Sequence, residues 1–438
     1  MDRYLGQGGF VPPGAPTFDM GQFAEVELVG TLMQFKEAKT QFWGSIGIGG
    51  SIIARPLVYR DTIYAGACDK NFYALTVEGK EKWRFPTKDV ISFWAIAQGG
   101  LLYFTSFDKN LYVVTEEGEL AWTFQTNGHL HGAPAYHRGM VYLCSTDGNV
   151  YALEARNGRL AWKFSTKGAL TMPAVGEDRI YVGGEDRTLY CLTLEGRVAW
   201  KALLPERVIA WPAVLEREMV VVGCWNNTVY AFDALTGTQK WTFKTLDAAF
   251  PRIAWKGRLY FGGRDFNCYC LDAVTGKELW RFKARGLTGM IPCVAEGRAY
   301  FPSMDQNLYC LDARTGELLW RFKADGPIVA VAVDQGRAYF GSWDCHLYCI
   351  DAVTGRSIWT FKTSMGSPSP LAPPDTGLVK AVQITIAAEA VEEGKEAYRV
   401  ETLGQGSSSY VIKSDYVVEH KYTKSRKVKS MSSGWEND

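Results

Sequence analysis

Residues 311–322 read LDARTGELLWRF, and nearly the same words return as LDAVTGKELWRF at 271–282 and IDAVTGRSIWTF at 350–361. Taken singly, each is a hairpin: a strand end, a turn whose Thr-Gly pair supplies a residue able to take positive φ, and a short apolar strand. Taken together they are a repeat, and an internal repeat decides the fold before any local reading does. The marker is a glycine followed four residues later by a tryptophan. It recurs as Gly79/Trp83, Gly118/Trp122, Gly158/Trp162, Gly196/Trp200, Gly237/Trp241, Gly276/Trp280, Gly316/Trp320 and Gly355/Trp359. The mean spacing is about 39 residues, close to that of a four-stranded propeller blade.

Each unit holds four strand-like runs, illustrated by GMIPCVA, RAYFPS, NLYCLDA and ELLWRF between residues 289 and 322. RAYFPS and NLYCLDA read as alternating outward and inward residues. Between the second and third runs lies a polar turn, such as Asp69-Lys70-Asn71, Asp108-Lys109-Asn110 or Asp305-Gln306-Asn307. Asp and Asn suit it because their side chains bond local backbone and tolerate left-handed conformations. One such sheet cannot bury both of its faces, whereas radial stacking of eight can, leaving only short edges. The sequence therefore predicts an all-β protein, an eight-bladed β-propeller of four-stranded blades. Trp83, Trp122, Trp162, Trp200, Trp241, Trp280, Trp320 and Trp359 pack into the crevices between blades. A catalytic group is needed once, a blade-locking group in every blade, so these eight are architectural.

Residues 1–50 lie outside the repeat and contain one strand-like run, 23–35. The propeller occupies 51–365, a Pro-rich linker 366–377, and a β-rich C-terminal extension 378–438, which ends in a basic tail with Lys421, Lys424, Arg426, Lys427 and Lys429. Three or four strands are expected in that extension.

Composition narrows the function classes. Lys plus Arg number 48 against 47 for Asp plus Glu, so no global charge recruits nucleic acid or membrane, and the basic tail is the feature through which nucleic acid is to be sought. No run reaches 18 apolar residues, and the first residues lack the basic start and apolar core of a secretion signal. The expectation is a cytoplasmic protein with no membrane insertion. Among ten cysteines, Cys191, Cys270, Cys310 and Cys349 share one strand position with Ala74, Val113, Ala152 and Ala231 of other blades, and read as small buried apolar groups. Phosphate-loop, dinucleotide, zincin and nucleophile-elbow motifs are absent.

The polar turns and the loops joining successive blades fall on one face, and the inter-blade loops differ from one another where the blades are alike. Binding residues are sought there and in the central funnel. Trp94, Trp211 and Phe250 occupy equivalent places near the start of innermost strands and suit a funnel floor. His129 and His131, at i and i+2 of a strand, share a face and are a metal-ligand pair only if a third group joins them. None is identifiable in the sequence, so no metal site is assigned. Trp225 and Trp343 stand beside the polar turns as a hot-spot pair or as packing under loops. Arg207, Arg252 and Arg285 approach the same face and suit an acidic partner or an anion.

The string Leu-Tyr-x-Leu-Asp-Ala-x-Thr-Gly-x3-Trp-x-Phe at 308–322 resembles the repeat of the pyrroloquinoline-quinone (PQQ) type propellers, over about residues 50–362. That group includes quinoprotein alcohol dehydrogenases, with a quinone and calcium in the funnel, and a non-catalytic scaffold of the outer-membrane protein assembly machine. The chain has no Cys-Cys dipeptide and no large insertions between blades, both of which mark the dehydrogenases. Their calcium ligands and catalytic aspartate match no positions here, so PQQ and calcium are not expected. The resemblance to the scaffold members implies a non-catalytic, protein-binding subunit of a larger complex, docking through the loop-rich face and terminal extensions. The alternatives are a quinone- or metal-dependent oxidoreductase with its site in the funnel and, third, a sensor of sugars or small ligands.

Overall fold

In the turn that opens the repeat, Asp312 Oδ1 accepts the backbone N–H of Thr315 at 2.8 Å and its hydroxyl at 3.2 Å, while Gly316 takes φ +77°. Asp233, Asp272 and Asp351 cap their own turns through Thr236, Thr275 and Thr354 in the same way. The computed structural model describes residues 50–215, 219–288 and 290–363, together with three later strands.

Among the described residues there is no helix, and the first body consists of eight antiparallel four-stranded sheets. Each is a consecutive meander: blade 1 over Leu57–Pro86, blade 2 Ile96–Gln125, blade 3 Ala135–Ser165, blade 4 Leu170–Leu203, blade 5 Val208–Lys244, blade 6 Ala249–Lys283, blade 7 Cys293–Lys323 and blade 8 Ile328–Lys362. The alternation expected of the second and third strands is found instead in the outermost strand, for example Leu318–Lys323. Second and third strands such as Arg298–Pro302 and Asn307–Asp312 are buried on nearly every residue. Both of their faces are covered by neighbouring blades, which favours continuous apolar runs.

The core is accordingly distributed between blades. Val221 and Ala231 of blade 5 pack with Leu259, Phe261 and Tyr269 of blade 6, and each other junction repeats the arrangement. Each blade tryptophan pairs across its sheet with the small residue of the third strand, as in Ala74↔Trp83 and Cys310↔Trp320, and a bulge follows immediately. Cys191, Cys270, Cys310 and Cys349 are fully buried in that position. Burial raises the thiols of Cys191 and Cys310 to about 12, and those of Cys270 and Cys349 to about 11.

The repeated glycine has a second task that its own blade does not reveal. A β-carbon on any of the eight would lie 2.5–2.8 Å from an indole atom of the preceding blade's tryptophan, so the glycine of one blade is the seat for the tryptophan of the one before. Seven of the indoles donate from Nε1 to a backbone carbonyl of that next blade, at 2.8–3.2 Å. Blade 8 meets blade 1 by the same device, Trp359 Nε1 donating to Val77 O at 2.9 Å, reinforced by Arg337 Nη1 to Val77 O at 2.8 Å and Ile52 N to Ser342 O at 3.1 Å. Among the described residues the ring closes without an exchanged strand.

A second compact unit contains the antiparallel sheet Gln383–Ile386, Ala397–Glu401 and Ser409–Lys413, paired in chain order. The strand expected at 23–35, the linker 366–377, a fourth C-terminal strand and the basic tail lie outside the described residues.

Candidate functional site

The polar turns form a rim built on one rule. In seven blades an aspartate (Asp69, Asp108, Asp147, Asp186, Asp265, Asp305 or Asp344) accepts the N–H two residues on, at 2.9–3.1 Å. Its other oxygen accepts the hydroxyl of the tyrosine four residues on, at 2.5–2.8 Å. The central residue is left-handed even where it is Lys109, Phe266 or Gln306. The inter-blade loop is tied to the same carboxylate, for example Arg285 N to Asp305 Oδ2 at 3.1 Å. Each aspartate thus fixes its own turn and a core tyrosine, and Asp108, Asp147, Asp265, Asp305 and Asp344 also hold a neighbouring loop. Burial, with Asp147 second, pushes the Tyr151 hydroxyl up to about 12, so it remains a donor.

Blade 5 departs from the rule. Asn226 stands in the aspartate position and donates from Nδ2 to Tyr230 Oη at 2.7 Å. Beside it Trp225 is 38% exposed. The Arg207 guanidinium carbon lies 5.3 Å from its ring centre and that of Arg264 lies 5.5 Å away. Such stacking is worth about 0.5–1 kcal/mol per cation at exposed sites. Leu246, 74% exposed, follows on the adjoining loop, its carbonyl accepting from Asn227 Nδ2 at 3.4 Å. Arg264 approaches Asp247 at 3.9 Å.

Trp343 is not a second copy of this feature. It packs under the loops against a cluster of Ile53, Cys68, Val90 and Phe107, as the packing alternative had it. Phe250 is also buried, against Ala248 and Met290, and offers no open aromatic face to a funnel. Trp211 is placed by its backbone in the strand Val208–Leu215, and its side chain lies outside what is described. Arg285 is exposed on its loop.

His129 and His131 do not lie on a strand; the inner strand of blade 3 begins only at Ala135, and both occupy the loop before it. The glycine and proline that follow, Gly132 and Pro134, delay pairing. His129 Nδ1 is committed to Phe107 O at 2.6 Å. His131 meets the Phe107 ring edge-on at 5.0 Å, and its Nε2 is sealed from solvent with no partner among the described residues. Burial, and secondarily the His129 charge, lowers its pKa to about 4, so it is neutral at physiological pH. Among the described residues no three or more His, Cys, Asp or Glu are grouped to hold a metal ion.

In the channel, the inner strand Ala249–Trp255 of blade 6 carries a bulge: Pro251 pairs with Phe261 and Ile253 with Tyr260, leaving Arg252 as the extra residue. A bulge re-aims its side chain, and the Arg252 guanidinium carbon lies 4.8 Å from the ring centre of Trp94, on blade 2. Sequence reasoning named both residues without bringing them together. The signal was the spacing from the inner-strand proline to the following turn glycine, six residues for Pro251–Gly257 against five for Pro134–Gly139 and Pro292–Gly297. Arg264 and Leu246 were missed because they are ordinary loop residues until folding sets Arg264 over the Trp225 ring and Leu246 O against Asn227.

The profile of the family described as outer membrane protein assembly factor BamB matches residues 77–173, 147–254 and 264–397. No curated protein sequence matches significantly. Among solved structures, BamB from Moraxella catarrhalis aligns with 17% identity and TM-score 0.56 over 71% of this chain and 94% of its own. Sqt1 of Saccharomyces cerevisiae aligns with 14% identity and TM-score 0.59 over 67% and 94%. A europium-containing methanol dehydrogenase aligns with 14% identity and TM-score 0.54 over 70% and 82%. At these identities the structural likenesses establish the fold.

Proposed function

The chain belongs to the BamB-like family of PQQ-repeat propellers, and from that premise we propose that it is a non-catalytic binding platform, a subunit of a larger cytoplasmic assembly. The observation that carries this reading is Trp225, held between Arg207 and Arg264 on the one blade whose turn breaks the aspartate rule. An aromatic anchor flanked by arginines, with exposed Leu246 beside it, has the composition of an interface hot spot. The rim under it is tied loop to turn by backbone hydrogen bonds, so little ordering entropy is lost on docking. The terminal extensions are read as further contact surfaces.

Two features support a non-catalytic role. The guanidinium of Arg252 already covers a face of Trp94 that a stacked planar cofactor would need. The thiols of Cys191, Cys270, Cys310 and Cys349 are buried and held neutral, which suits a reducing compartment and offers no nucleophile.

The test is purification from the native cell through a C-terminal tag, in parallel for the native chain and for Trp225→Ala combined with Arg207→Glu. Stoichiometric partners on a colourless native chain, lost from a variant that keeps its thermal midpoint, support the platform. Equal partner recovery from both, or a solitary chain carrying a chromophore, overturns it.

A further inference from the structure

We propose that the outer strand of blade 7, Leu318–Lys323, docks an extended acidic segment of a partner protein. A carboxylate of that segment takes, at Arg321, the place that a glutamate of this chain takes on two other blades. The surface is separate from the Trp225 rim, and the proposal stands whether or not that rim binds.

Three blades carry an arginine directly after the repeated tryptophan: Arg84, Arg281 and Arg321. On blade 1, Glu81 clamps Arg84 with both carboxylate oxygens, which accept from Nε and Nη2 at 2.7 Å each. On blade 6, Glu278 clamps Arg281 in the same way, at 2.7 and 2.6 Å. Each glutamate opens its strand three residues before the arginine, and the bulge between them sets the two on one face. Blade 7 has the same bulge but opens its strand with Leu318, so the Arg321 fork lacks that acceptor.

Nothing else in the structure supplies it. Among the described residues the side chains of Arg321 and Lys323 form no hydrogen bond and no ion pair, although Glu317 and Asp325 stand exposed at the two ends of the strand. The counterpart of Lys323 on blade 6, Lys283, is by contrast committed to Asp265 O at 2.7 Å. Arg285 adds a third exposed cation at the Lys323 end, on the loop tied to the Asp305 turn of this blade.

The strand is the last of its sheet, so its outer edge presents backbone N–H and C=O groups to which an extended chain can add. All eight blades end in such an edge; the unclamped arginine singles out this one. A carboxylate matches the guanidinium fork through two parallel hydrogen bonds, the geometry that Glu278 already shows. Leu318 and Leu319, 46% and 48% exposed, lie beside the cations and suit a segment that brings aliphatic side chains with its carboxylates. Both aromatic rings of the strand face inward, Trp320 on its seat at Gly355 and Phe322 against Phe340 and Tyr348. They offer no platform for stacked bases, which favours a peptide over a nucleic acid.

The test follows the fluorescence anisotropy of a labelled decapeptide of alternating valine and glutamate titrated with the full chain. A valine–lysine decapeptide and a uridylate decamer are the other probes. The expected result is saturable binding of one valine–glutamate peptide per chain, weakened by salt, and none of the valine–lysine peptide. Arg321→Glu should weaken binding by about tenfold or more. Leu318→Glu should do the same without altering either cation, because it installs the clamp that blades 1 and 6 possess. Arg84→Gln, at an arginine whose clamp is already closed, should leave binding unchanged. Equal weakening by Arg84→Gln and Arg321→Glu would reduce the effect to general surface charge and overturn the proposal. So would a uridylate decamer that binds more tightly than the peptide and displaces it, or a native chain that shows no saturable peptide binding.

Discussion

The indole of Trp359 rests on Gly79, joining the last blade to the first: a β-carbon on Gly79 would lie 2.6 Å from the indole Cδ2, and the glycine holds φ +82°. Gly79→Ala therefore combines left-handed strain with displacement of the indole, for an expected loss of about 2–4 kcal/mol. Gly257, at φ +71° with nothing within 4 Å of its absent β-carbon, isolates the strain alone, and Gly257→Ala should cost about 1 kcal/mol. Urea denaturation of both variants checks the difference. Equal losses would mean that the indole seat contributes nothing.

Seven blade tryptophans donate to the following blade, but Trp320 Nε1 is buried with no acceptor among the described residues; the carbonyl at its equivalent seat, Ala352 O, takes the Tyr300 hydroxyl at 3.0 Å. Trp241 is the normal case, bonded to Ala273 O at 3.1 Å. Trp241→Phe loses a hydrogen bond and leaves a buried carbonyl without that donor, whereas Trp320→Phe removes an unsatisfied N–H. The first should destabilise by about 1 kcal/mol more than the second in denaturant titrations, although the chemical change is the same.

The blades were legible because every one carries the Gly-x3-Trp pair at a fixed offset, and most add a polar Asp-x-Asn turn like that of 305–307 or a capped Asp-x-x-Thr-Gly turn like that of 312–316. What joins the blades was less legible. The Gly-x3-Trp pair looks like one unit in sequence, yet Gly118 serves Trp83 and Trp122 serves Gly158, because radial stacking sets the end of one sheet against the turn of the next. The burial of both faces of Arg298–Pro302 has the same origin, since a strand cannot report what covers it.

The site residues divide along similar lines. Trp225 stood out in sequence, as did Trp343, and only packing separates an anchor at 38% exposure from a tryptophan lodged against Phe107 and Ile53. The placement of His129 and His131 on a strand failed because pairing in blade 3 starts after Pro134. The approach of Arg252 to Trp94 depends on a single inserted residue, visible in the spacing only once the inner strands are aligned.

His131 makes stability depend on pH in a definite direction. Its pKa is lowered to about 4 in the folded chain from 6.5, so the unfolded chain binds the extra proton first. Its contribution is fully present above about 6.5 and is lost as pH falls through about 4, to an upper bound of about 3 kcal/mol. His131→Leu should flatten the stability profile over that window, measured by urea titration at intervals of pH. A histidine resonance for His131 that titrates near 6.5 in the folded protein would contradict the burial that drives the shift.

The aspartates that open each Thr-Gly hairpin act lower on the pH scale. Hydrogen bonds from Thr236, with help from Lys240, bring Asp233 to about 2, and Asp272, Asp312 and Asp351 are lowered through their own turn threonines and backbone N–H groups. For a depressed carboxylate the stabilisation is complete above the unfolded value of 3.8 and disappears as pH falls through the folded one. Changing all four to asparagine keeps an acceptor oxygen in each turn but removes the titrating group. The fourfold variant should be less stable than the native chain at pH 7, and its stability should change less between about pH 4 and pH 2, so that the two curves converge in acid. Parallel curves over that interval would mean that these four carboxylates do not carry the acid sensitivity.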